Sequence, residues 1–90
     1  MKLRLEVTYN DGTAVAYVAA VPEWQKWEIK FNKTIQQADS IGINDLCFLA
    51  YSAMKREAGG KPIKPFEAWV ETITDIQAVN ENPKDTASEV

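Results

Sequence analysis

Five groups of residues in this chain have side chains and spacings that could do chemistry. Glu67, Glu71 and Asp75 lie four residues apart, and paired carboxylates serve general acid–base catalysis. A hydrolase of that kind needs its two acids across a substrate cleft. Three acids along one helix face make a solvated surface instead. Cys47 could be a nucleophile only beside an activating base. The chain has no histidine, and the neighbours of Cys47 are Leu46 and Phe48, so it reads as a small buried hydrophobe. Ser52 and Lys55 have the spacing of a Ser/Lys pair, but i, i+3 is common on any helix. Gly59-Gly60-Lys61 lacks the rest of a phosphate-binding loop, and Pro62 follows it, so the glycines read as a helix stop. Lys26, Lys30 and Lys33 could meet phosphates, yet on a net-acidic chain they read as a solvated face or as a complement to the acidic residues.

Composition narrows the field further. The 90 residues amount to one domain, with 46% apolar and 26% charged residues, which is ordinary globular usage. Ten basic against thirteen acidic residues leave a net charge of −3. That lacks the basic footprint of a nucleic-acid binder. Without histidine, and with one cysteine, no zinc set and no internal disulfide can form. No cofactor site is indicated either. No apolar run is long enough to span a membrane, and the N-terminus alternates where a signal peptide would be a block. The expectation is a soluble, intracellular, non-enzymatic domain.

The elements that would position these groups begin with a hairpin. Leu3, Leu5, Val7 and Tyr9 alternate with polar residues, Asn10-Asp11-Gly12 gives a turn, and residues 13–20 return. A two-residue turn would set Val7 opposite Ala16. A three-residue turn with Gly12 left-handed sets Val7 opposite Val15 and Leu5 opposite Tyr17. The second gathers the larger apolar groups on one face and is preferred. A lone hairpin is marginal in water and needs a helix or another strand against it.

Pro22 marks a change of period. Trp24, Trp27 and Phe31 recur at i, i+3 and i+7, with Asn32 in the left-handed position that ends a helix. Residues 33–43 read as a loop, with Ile35, Ile41 and Ile43 tethered to the core. A second helix is expected from an Asn44 N-cap to about Glu57, with Ile43 and Phe48 as a hydrophobic staple. Its apolar residues, from Leu46 to Met54, cover roughly 200° at about 100° per residue. Such a helix is either central in the fold or shared with another chain. Pro65 opens a last helix in which Phe66, Trp69, Val70, Ile73 and Ile76 follow a helical period. Residues 80–90 read as a flexible, disordered polar tail after a single domain at 1–79. The fold class is therefore α+β: an N-terminal β-hairpin followed by a small bundle of about three helices.

Most aromatics sit at core spacing. Ile29 and Phe48 instead fall on the polar sides of their helices. With Tyr51 on the broad face of the second helix and Lys55 in its last turn, they are the candidate partner-binding residues.

The order of these pieces resembles the tail assembly chaperones of long, non-contractile-tailed bacteriophages. The likeness rests on the hairpin, then Trp27-Glu28-Ile29-Lys30-Phe31-Asn32-Lys33, similar to a family element E-x-x-F-G-K. It continues through an apolar helix closing in Lys55-Arg56-Glu57-Ala58-Gly59, and ends on Phe66-Glu67-Ala68-Trp69. Asn32 stands where glycine is usual, and both tolerate a left-handed backbone. The resemblance spans about residues 1–79. It implies a small, mostly helical, non-catalytic protein of the host cell cytoplasm. Such a protein binds and solubilises the tape measure protein, promotes tail tube assembly and is absent from the mature virion. It also implies contact with the tail tube protein, self-association as a homo-oligomer, and a frameshifted longer form of the same chain. No nucleic acid or membrane is expected as a partner. The alternatives are a permanent structural component of a tail or head–tail joint, and a small enzyme or regulator of unknown substrate.

Overall fold

A computed structural model describes residues 2–34 and 41–80. The chain runs β1 (Leu3–Tyr9), β2 (Ala14–Ala19), α1 (Val21–Phe31), α2 (Ile43–Ala58), α3 (Phe66–Val70) and β3 (Ile73–Asn80). The α+β class is as expected, a hairpin followed by three helices. Of the expected loop at 33–43, residues 35–40 with Ile35 lie outside the described residues, as do residues 81–90 of the expected tail at 80–90.

The hairpin has the three-residue turn. Leu5 pairs with Tyr17 and Val7 with Val15, and Gly12 takes φ 91°. Asp11 tightens the turn by accepting from the Thr13 N–H at 3.0 Å and the Thr13 hydroxyl at 2.7 Å. Leu5, Val7, Tyr17 and Ala19 share the inward face, and all four are buried.

The last helix is shorter than expected. It stops at Val70, and residues 73–80 add to β1 as an antiparallel strand, so the sheet order is β2-β1-β3. The helical period of Ile73 and Ile76 has a different cause. Between Thr8 and Tyr9 the register shifts: Thr8 faces Asp75 and Tyr9 faces Ile73, leaving Thr74 as a bulge. The extra residue lets Ile73 and Ile76 both pack on the core at a spacing of three. Asn10 fixes this entry. Its N–H donates to Thr72 O at 2.8 Å, its amide donates to Glu71 O at 3.0 Å, and its Oδ1 accepts from the Thr74 hydroxyl at 2.7 Å. Glu67, Glu71 and Asp75 therefore share no helix face: Glu67 is in α3, Glu71 caps it and Asp75 is on β3.

The second helix is capped two residues earlier than expected. Gly42 is the N-cap, and Asp45 at the third helical position reaches back to accept from the Gly42 N–H at 2.8 Å. This is one arm of a capping box, since glycine has no side chain to supply the other. Asn44 is thus inside the first turn. The Ile43–Phe48 staple and the tethering of Ile43 do not form: Ile43 is 63% exposed, and Ile41 and Leu46 hold the staple positions. The C-termini end as expected, with Asn32 at φ 54° and Gly59 at φ 60°, both left-handed caps.

The helix α2 is central, packed on the sheet and against α1. That accounts for its wide apolar circumference: Cys47, Leu49, Ala50 and Ala53 are buried between them. At the start of α1, Glu23 repeats the one-armed cap, accepting from the Ala20 N–H at 2.9 Å. It is fully buried and also takes a two-pronged bond from Arg56 near the end of α2, at 2.7 and 2.8 Å. At the other end of the pair, the Trp27 indole donates to Asp45 at 2.7 Å. Each helix thus uses its capping acid to hold the other helix.

Candidate functional site

The described residues form a groove of about 570 Å³ among α1, α2 and the start of α3. It exists because the aromatic stripe of α1 continues past the core. Trp24 meets Trp27 edge-on at 5.3 Å, Trp27 meets Phe31 at 6.2 Å, and Phe31 meets Phe48 of α2 edge-on at 5.6 Å. On the opposite wall Tyr51 packs against Phe66 and Trp69, both at 5.3 Å. The Tyr51 hydroxyl donates to Lys64 O at 2.5 Å, which fastens the connector that carries α3. Phe31, Phe48, Tyr51 and Phe66 face the groove, Lys26, Lys30 and Lys55 border it, and Asn44 and Ser52 complete its lining.

Three of the four expected binding residues, Phe48, Tyr51 and Lys55, therefore meet in one site. Ile29 does not join them. It is 76% exposed on α1 but outside the groove lining. Phe31 and Phe66 read as core in the sequence, yet both border the groove, and Phe66 remains 36% exposed. Lys26 and Lys30 read as a solvated face. Their i, i+4 spacing shows that they share a side of α1, but only the packing of α2 brings Lys55 opposite them.

Ser52 and Lys55 share the groove wall without a hydrogen bond between them. Burial pushes the Cys47 thiol up, away from the reactive thiolate. Among the described residues no group of three His, Cys, Asp or Glu is placed to hold a metal ion. No helix among them is long and apolar enough to cross a membrane.

The perturbed acids are structural. Burial pushes the Glu23 carboxyl up, but Arg56 and the Ala20 N–H outweigh it and hold it below its ordinary value. Burial likewise raises Asp45, and the Gly42 N–H, the Trp27 indole and Lys33 bring it below. A second opening, about 520 Å³, lies beside the hairpin turn near Tyr9, Asp11, Lys64 and Trp69. Behind it the Trp69 indole donates to the Tyr9 hydroxyl at 3.0 Å, and Tyr9 and Tyr17 share a hydrogen bond of 2.9 Å. Burial, then the bond to Tyr9, pushes the Tyr17 phenol well above its usual range.

Comparison with family models, with curated proteins and with solved structures finds no match to this chain.

Proposed function

We propose that this protein is a tail assembly chaperone of a long-tailed bacteriophage. On this reading it holds the tape measure protein in solution and promotes assembly of the tail tube around it, without catalysis. The observation that carries the reading beyond the sequence resemblance is the aromatic groove beside α2. A chaperone of this size needs apolar surface in excess of its own core, together with charge to stay dispersed. Phe48, Tyr51 and Phe66 supply the first, and the bordering lysines supply charge next to it.

Co-expression with the tape measure protein of the same phage tests this. The expected result is a soluble complex that co-purifies and is lost with Phe48→Asp. Phe48 is the better probe because Tyr51 also holds the connector through Lys64. A folded Phe48→Asp variant that retains the complex would rule out the groove. An insoluble client without a complex would rule out the chaperone reading.

A second reading, a permanent structural component of the tail, has one observation in its favour. Among the described residues β2 and β3 each pair on one side only, and such edges can be extended by identical copies. Mass analysis of purified virions separates the two: the chaperone is absent from them and the structural part is present.

A further inference from the structure

The chemistry bordering the groove narrows what can occupy it. Among the described residues, every charged group in its lining is a cation: Lys26, Lys30 and Lys55. No described Asp or Glu is among the lining residues, although the chain has thirteen acids to ten bases. Among the described residues, the ion pairs Arg4–Glu6 and Arg56–Glu23 involve none of these three ammonium groups. Among its described residues, a net-acidic protein has therefore gathered three lysines around an aromatic-walled concavity.

The walls also limit the backbone geometry of the occupant. They are side chains of three helices, and the backbone groups within α1 and α2 are spent on their own helical bonds. An extended segment would find no strand edge to pair with here, whereas a helix brings its backbone already satisfied. A cavity of about 150 Å³ holds one benzene ring. The groove's 570 Å³ therefore has room for about three to four large side chains, enough for those that one face of a helix presents at i, i+4 and i+7.

We infer that the groove docks an amphipathic helix whose apolar face is flanked by Asp and Glu, with the acids meeting Lys26, Lys30 and Lys55. This rests on the chaperone reading for the identity of the client, but its charge and shape requirements stand on the groove alone.

The test uses the full chain and three fluorescent helical probes of roughly 18 residues, long enough to form a helix in isolation. Each has the same Leu/Phe face, flanked by Glu, by Gln or by Lys. Fluorescence anisotropy should give the Glu-flanked probe about a tenfold advantage over the Lys-flanked one, with Gln between, since exposed ion pairs contribute little each and add over three sites. The advantage should shrink sharply at about 0.5 M salt. The K26E/K30E/K55E variant, its fold verified by circular dichroism, should invert the order. Equal affinity for the Glu- and Lys-flanked probes, or no binding of any probe, overturns the inference. So does an order that the variant leaves unchanged. Co-purification of the tape measure client, measured separately, reports on the chaperone reading. A client complex indifferent to K26E/K30E/K55E refutes the acidic helix and keeps the chaperone. Probe binding without a client complex does the reverse.

Discussion

Glu23→Gln is the most informative single change in the fold. Glu23 is 0% exposed and accepts three hydrogen bonds, from the Ala20 N–H and from two nitrogens of Arg56. Glutamine has nearly the same shape. Its carbonyl oxygen can keep the Ala20 bond, but its amide nitrogen cannot accept from Arg56. The variant therefore loses one charge-assisted bond outright and the charge from the other. Hydrogen bonds to charged groups contribute about 1.5–3 kcal/mol. Removing the carboxylate also relieves its desolvation, and the Arg56 side chain, 44% exposed, can be rehydrated. The net loss should be about 2 kcal/mol, below the range seen when a fully buried pair is broken. For a domain of this size that is a fall in Tm of roughly 10 °C. Urea titration followed by tryptophan fluorescence at pH 7 measures it. The pH dependence supplies the second check. The folded carboxyl lies below its unfolded value of 4.5, so its contribution is full above that value and is lost as pH falls through the folded pKa. The gap between wild type and Glu23→Gln should thus close in acid. A gap under about 0.5 kcal/mol at pH 7, or one that persists unchanged at low pH, would refute the argument.

The two neighbouring tryptophans should respond unequally. Trp27→Phe strips Asp45 of its indole donor and should cost about 2–3 kcal/mol. The Trp24 indole N–H is buried without an acceptor among the described residues, so Trp24→Phe should cost about 1 kcal/mol or less by the same titration. Asn10→Ala removes two side-chain bonds to residues 71 and 74 and should lower hydrogen-exchange protection of β3 more than that of α2. Above pH 10 the unfolded Tyr17 phenol ionises while the folded one, its pKa raised, stays neutral. Stability should fall there, and Tyr17→Phe should flatten the fall in an alkaline urea series.

What could be read from the residues alone was whatever local chemistry decides. Gly12 and the alternation around it fixed the hairpin register, and Asn32 and Gly59 marked helix ends because few residues tolerate a left-handed backbone. The strand at 73–80 was hidden because its bulge at Thr74 gives two inward isoleucines a helical spacing. The contrary signal was present in the β-branched run Thr72, Ile73, Thr74 and in the need of the hairpin for another strand. The misplaced cap at Asn44 has a similar origin: the acid that caps α2 lies inside it and reaches backwards. For the site, sequence could flag Phe48 as an apolar residue on a polar face. It could not bring Lys26 and Lys30 across from Lys55, because that depends on how α1 crosses α2.

The place of β1 at the centre of the sheet has a consequence in time. Its second neighbour is made last, and Asn10 waits for a carbonyl 61 positions downstream. At about 5–20 residues per second, translation takes roughly 3–12 s to cover that distance. Throughout that interval one side of β1 offers a row of unsatisfied amides and carbonyls to any passing strand. In a cell producing many copies at once, nascent chains on one polysome expose that same edge side by side, and synthesis of the last eight strand residues is what closes it.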